Sequence, residues 1–289
     1  ETNEIMVAGG MESMTNTPYI LQKARSGQRL GHGQMMDHMF LDGLEDAFDK
    51  GTLMGVFAER TAKKYGFSRE AQDEFAIRSL TRAKKAIENG SFKNEVTPVS
   101  YKNRKEETLV ELDEQPLTAN IDKIPNLRPA FEKDGTVTAA NSSSISDGAA
   151  ALVMMRESTA KKSGFKPIAR FLGHSSFAQA PEWFTTAPVG AIKGVLKTVD
   201  WNVDDVELFE INEAFAVVTM AAMNDLDLPA EKVNVHGGAC ALGHPVGASG
   251  TRILVTLISA LQKYGKTRGV ASLCIGGGEA TAMAVEVLS

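Results

Sequence analysis

The stretch VASLCIGGGEATAMAVEVL, residues 270–288, decides how the chain is read. Two β-like apolar runs, VASLCI and AMAVEVL, flank three successive glycines. Upstream, similar runs alternate with segments of helical periodicity. IARFLG (168–173) precedes a helix over VGAIKGVLKTV (189–199), and VELFEI (206–211) precedes one over EAFAVVTMAAM (213–223). VNV (233–235) precedes one over GTRILVTLISALQKY (250–264). Apolar strands alternating with helices from about Lys166 onward predict an α/β architecture with a mostly parallel sheet.

Nearer the N-terminus the pattern loosens. Residues 5–8 read as a buried strand that stops at Gly9-Gly10, and AAALVMM (149–155), after TVTAANSSSISDG (136–148), reads as another. Between them lies a polar, irregular stretch with helices. Its clearest helix is SREAQDEFAIRSLTRAKKAIENG (68–90): Ser68 can cap the start, Ala71, Phe75, Ala83 and Ile87 recur at helical spacing, and Asn89-Gly90 stops it. Arg78, Arg82, Lys84 and Lys85 on this helix are read as a solvated face, with an anionic ligand as the alternative. IMVAGGMESM (5–14) echoes LCIGGGEATAM (273–283), each an apolar strand followed by glycines, Glu, small residues and Met. The second copy closes an α/β unit, whereas the first stands at the start of the chain. The expectation is therefore a chain that begins in mid-domain, with a comparable unit missing before residue 5.

Composition bounds the function. The 289 residues are 43% hydrophobic and 23% charged, enough for a substantial core in two domains or one with an insertion. A formal net charge of −5 without a basic block argues against nucleic acid as a partner. No apolar run is long enough to span a membrane, and no signal-peptide pattern opens the chain. Two cysteines are too few for a disulfide framework, which points to a reducing setting, the cytoplasm or an organellar matrix.

Asn212, His244 and Cys274 share a topological position past the carboxyl ends of predicted strands, where α/β sheets place their ligands. Asn212 could cap the following helix or hold a water. His244, between Gly243 and Pro245, must project from a loop. Cys274 could be inert, or could act as acid or base beside a glycine loop whose N–H groups approach a developing oxyanion. Residues His236, Cys240 and His244 have helical metal-ligand spacing, but Gly237, Gly238, Gly243 and Pro245 argue against the helix, and no metal site is expected. Cys240 reads as a small buried hydrophobe. The glycine run lacks both the dinucleotide fingerprint and the P-loop lysine, and GASG (247–250) is not a hydrolase elbow.

VAGGMESMTNTPY (7–19), RPAF (128–131), GTVTAANSSSISDGAAALVMM (135–155), EINEAFA (210–216), NVHGGACALGHPVGASGTR (234–252) and SLCIGGGEATAM (272–283) together resemble the thiolase family along the whole chain. GGMESM and the loops are most similar to acetoacetyl-CoA (biosynthetic) thiolases. The resemblance implies a layered α/β fold of two similar halves with an inserted loop domain and a first half cut short. The expected division is 1–14 and 141–165 for the first half, 15–140 for the loop domain and 166–289 for the second half. The implied reaction is condensation of two acetyl-CoA to acetoacetyl-CoA and CoA, or the reverse thiolysis, through an acetyl-cysteine. Longer-chain 3-ketoacyl-CoA thiolysis and a catalytically incomplete CoA-binding piece are the alternatives.

By the same resemblance His244 is the base that activates the nucleophilic cysteine, and Cys274 is the acid/base at the α-carbon of the second acetyl-CoA. Asn212 holds a water that with His244 forms one oxyanion hole, and the Gly276 N–H contributes to the other. The pantetheine tunnel maps to Met54, Ala130, Phe131, Ala139, Ser143, Ile145, Ala214 and Phe215, with Ser143 as the polar contact. Leu53 and Phe184 depart from the residues common in acetoacetyl-CoA thiolases, where a histidine and a methionine often stand. The nucleophilic cysteine has no counterpart in the chain, which as printed is expected to be inactive. No cofactor is expected, CoA being substrate and product, and a homodimer or homotetramer is implied.

Overall fold

The computed structural model describes residues 3–102 and 106–288. In chain order the elements are β1 (Ile5–Ser13), β2 (Tyr19–Leu21), β3 (Met35–Asp37), α1 (Met54–Tyr65) and α2 (Arg69–Glu88). There follow β4 (Val99–Lys102), β5 (Glu107–Val110), α3 (Glu114–Thr118), β6 (Asp147–Met155), α4 (Glu157–Ser163) and β7 (Ala169–Ala178). The chain closes with α5 (Ala187–Val199), β8 (Leu208–Ile211), α6 (Ala216–Asp225), α7 (Ala239–Leu242), α8 (Val246–Lys263), β9 (Arg268–Ile275) and β10 (Glu279–Val287).

The central sheet has the order β7-β10-β9-β8. Only β8 and β9 run parallel; β9 with β10 and β10 with β7 are antiparallel. The expected mostly parallel sheet is thus a mixed one. The physical reason lies in the opening stretch: three glycines are too few for a crossover, so the strands on either side of them form a hairpin. Gly277 and Gly278 both turn at φ +96°.

Alternation along the strands sorts the core into layers. Phe209, Ile211, Val270, Ala280, Ala282 and Ala284 face α5 and α6. Leu208, Ala271 and Val285 face α8, which presents Ile253, Leu257 and Leu261 at helical spacing. A β-bulge lies opposite Ala284 and Val285, where β7 carries the extra residue Leu172. The opposite face of α8 meets the two-stranded antiparallel sheet of β1 and β6, with Leu152 packed into the same cluster. α8 is therefore a helix between two sheets.

Contact between β1 and α8 is made by backbone. A Cβ on Gly10 would lie 1.8 Å from the Gly247 carbonyl oxygen, so only glycine fits. Both strands of the small sheet differ from the expected buried runs. β1 continues through Gly9-Gly10 to Ser13, and β1 and β6 alternate, with Ile5, Val7, Met11 and Val153 exposed on the face away from α8.

VNV (233–235) is not a strand; Val233 makes only an isolated bridge to Phe209, because Asn234 turns the chain at φ +48°. α2 begins and ends as predicted: Ser68 Oγ accepts from the Ala71 N–H at 3.2 Å, and Gly90 follows its end at φ +69°. Its cations are not a solvated face throughout. Arg82 donates to the carbonyls of Ala230, Val233 and Asn234, and Lys84 to that of Ala119. Arg82 therefore holds the turn that leads to His244.

Candidate active site

β8 delivers Asn212, whose N–H donates to the Ser272 carbonyl of β9 at 2.9 Å. α6 starts only at Ala216 with Phe215 as its cap, so Asn212 does not cap it and its side chain is free for other contacts. That side chain is 1% exposed; Nδ2 lies 3.3 Å from His244 Nε2, and Oδ1 is buried without a partner. A buried amide oxygen with no donor is costly, and it marks a place for a hydrogen-bonding guest.

His244 leaves the end of α7 through Gly243, at φ +83°, and Pro245 caps α8. Its N–H donates to the Ser144 carbonyl at 3.2 Å, and its Nδ1 lies 2.5 Å from Ser249 Oγ. Burial first, and the charge of Arg252 second, lower its pKa to about 4. The imidazole is therefore neutral near pH 7 and able to accept a proton.

The segment Asn141–Ser144 binds these pieces together. The Asn141 carbonyl accepts from Ala216, the Ser143 N–H donates to the Ala214 carbonyl, and the Ser144 carbonyl takes the His244 N–H. Ser143 Oγ also donates to the Ala214 carbonyl at 3.0 Å. Glu213, next to Asn212, is wholly buried. Its carboxylate accepts from Ser79 Oγ, Asn234 Nδ2 and the Cys240 N–H, and it ties α2 and α7 to β8. Sequence reasoning passed over Glu213 and Ser249; the available signal was an acid beside a candidate site residue and a hydroxyl one turn into the helix after His244.

Cys274 ends in an apolar cluster with Met54, Phe57, Phe184, Ala214 and Phe215, against which Phe131 packs. Burial raises its thiol to about 12. Gly276 is exposed on the connection beyond it, and a Cβ there would lie 3.4 Å from Met54 Sδ. Met54, Phe131, Ala214 and Phe215 are thus brought together around Cys274. Glu59 of α1 holds the Phe131 segment by accepting from the Thr136 and Val137 N–H groups. Ala130, Ala139 and Ile145 are exposed outside that cluster, Ala139 lining a cavity of about 250 Å³ with Leu80, Gln115, Lys123 and Cys240.

Cys240 packs with Phe75 and Ala216, and burial together with Glu213 drives its thiol well above the ordinary range. His236 lies between the rings of Phe92 and Tyr264, at 5.7 and 5.6 Å, away from the Asn212 and Ser249 contacts of His244. Among the described residues no three His, Cys, Asp or Glu side chains are grouped to hold a metal ion. Among the same residues no helix is long and apolar enough to cross a membrane.

The imidazole and amide of His244 and Asn212 form a buried pair, and the Cys274 thiol lies in the apolar cluster that includes Ala214 and Phe215, the residues that follow Glu213. Residues 1–158 match the family described as thiolase, N-terminal domain, and residues 165–287 match thiolase, C-terminal domain. The chain belongs to the thiolase family. It is 48% identical over 287 residues to an acetyl-CoA acetyltransferase of Thiocystis violacea, covering 99% of this chain and 73% of that protein. The crystal structure of the Bacillus anthracis acetyl-CoA acetyltransferase superposes with a TM-score of 0.95 at 44% identity, over 99% of this chain and 72% of that one. A thiolase from Ascaris suum in complex with coenzyme A superposes at 0.91, with 42% identity and coverage of 99% and 72%. Both family domains are matched, so the expectations of a first half cut short and of an inactive chain find no support in these comparisons.

Proposed function

We propose that the chain is an acetyl-CoA C-acetyltransferase, joining two acetyl-CoA into acetoacetyl-CoA and CoA or cleaving acetoacetyl-CoA with CoA. The observation that carries this reading is the buried pair of Asn212 and His244, with a neutral Nε2 beside an amide whose Oδ1 has no partner. A thioester carbonyl under attack needs a base to free a thiolate and donors for its oxyanion, and this pair supplies both once Asn212 holds a water. The names of the relatives and the coenzyme A bound to the Ascaris suum thiolase support the substrate class.

In this reading His244 Nε2 takes the proton of an acyl-accepting thiol that neither cysteine of this sequence supplies; that sulfur bonds to the thioester carbonyl carbon as the bond to the CoA sulfur breaks. Cys274, a thiol at rest, gives its proton to the departing CoA sulfur. The Cys274 thiolate left behind takes the α-proton of the second acetyl-CoA, whose carbanion displaces the acyl-accepting thiolate; that thiolate recovers its proton from His244, so protons balance over the cycle. Acyl acceptance is assigned to neither cysteine of this sequence: Cys240 packs against Phe75 and Ala216, and Cys274 is taken up as the acid/base. Met54, Phe131, Ala214 and Phe215 supply apolar walls for the pantetheine arm, and the Gly276 N–H contributes to the second oxyanion hole. Coenzyme A is substrate and product, and no further cofactor is used.

Acetoacetyl-CoA cleavage with free CoA, measured in a protein that carries the acyl-accepting cysteine together with this chain, tests the proposal. His244→Ala is expected to lower kcat by roughly 10²–10⁴-fold. Undiminished turnover in that variant would refute it.

A further inference from the structure

His244 has two ring nitrogens, and catalysis by Nε2 requires that Nδ1 hold the proton. Ser249, fully buried in the first turn of α8, has its Oγ 2.5 Å from Nδ1 and 3.0 Å from the Pro245 carbonyl oxygen. A hydroxyl has one proton to give. At its other end the imidazole faces Asn212 Nδ2, a donor, at 3.3 Å. Two donors cannot share a hydrogen bond, so Nε2 carries the lone pair and Nδ1 the hydrogen. Nδ1–H then donates to Ser249 Oγ, and the Ser249 hydroxyl donates to the Pro245 carbonyl. Asn212, His244, Ser249 and Pro245 form one chain in which every bond points the same way.

We infer that Ser249 is a positioning residue for the reaction: it fixes His244 in the Nδ1–H tautomer and holds the ring so that Nε2 faces the substrate. This rests on the reading of His244 as the base. A proton arriving at Nε2 makes the Nδ1–H bond charge-assisted, so the Ser249 contact strengthens as the base is loaded. The serine needs no contact with substrate to do this. Its hydroxyl is anchored by the α8 backbone, one turn beyond His244.

Two measurements on Ser249→Ala test the inference. Steady-state cleavage of acetoacetyl-CoA, in a protein that carries the acyl-accepting cysteine together with this chain, is expected to show kcat reduced by roughly 10²-fold with KM for CoA nearly unchanged, as for a mis-set catalytic group. Nitrogen NMR of histidine-labelled protein is expected to show His244 unprotonated at Nε2 in the parent and divided between tautomers in the variant. An unchanged kcat, or a His244 protonated at Nε2 in the parent, would overturn the inference. A variant that loses both kcat and its folded spectrum is replaced by Ser249→Thr, which keeps the hydroxyl; it is expected to retain the Nδ1–H tautomer, and its loss there would also count against the inference. Should His244→Ala remain active while the tautomer result holds, the base assignment fails and the hydrogen-bond chain stands.

Discussion

Cys240 and Cys274 carry the same thiol into surroundings that keep it protonated. Burial pushes the Cys274 thiol up to about 12, so its thiolate is scarce at neutral pH. Iodoacetamide at pH 7 is therefore expected to alkylate neither cysteine in the folded chain on the timescale that labels both in urea, as read by mass spectrometry. Rapid labelling of the folded protein at either position would contradict the burial argument. At this scale the sequence was legible where a residue's neighbours constrain it: glycine and proline flank His244 and force it into a loop, and three glycines follow Cys274. Ser249 and Glu213 were hidden because their meaning lies in partners. Glu213 binds Ser79, which is 134 positions away, and no local pattern announces such a bond.

On α8, Arg252 sits 3.5 Å from the buried Glu210 and contributes to the fields at Glu95 and His244. Burial outweighs that arginine at both carboxyls, raising Glu95 to about 7 and Glu210 to about 8 from 4.5. The folded chain then holds protons that the unfolded chain has released. This share of stability is whole below pH 4.5 and is lost as pH rises through 7 and 8. His236 and His244, lowered to about 4 from 6.5, act the other way and lose their share as pH falls from 6.5 to 4. The two pairs oppose each other between pH 4.5 and 6.5, and above 6.5 the carboxyls act alone. Thermal unfolding is expected to show Tm falling from pH 6.5 to 8, less steeply in Glu95→Gln; a Tm that rises over that window would refute the assignment. Helix positions were well marked in the sequence, since α2, α5 and α8 follow from apolar spacing and end signals. Strand direction was not, because alternation fixes which side chains face inward and leaves open which strand lies alongside.

Over the whole molecule, the sheet of β1 and β6 has one face on α8 and one open face, where Val7 lies opposite Val153 at 73% and 66% exposure. A contiguous apolar surface of this kind binds hydrophobic dyes and favours self-association. Changing that cross-strand pair by Val7→Thr with Val153→Thr keeps β-branching and is expected to reduce dye binding with little change in Tm. Undiminished dye binding would place the apolar surface elsewhere. The contact beneath that sheet, Gly10 against Gly247, has a different kind of consequence. Side chains elsewhere in the core can trade volume with their neighbours, as lock pins of different length still close a lock. Here there is nothing to trade, because main chain rests on main chain a few residues from His244. The seam is a hard mechanical datum, and any effort to widen the space around His244 by redesign must take its measurements from it.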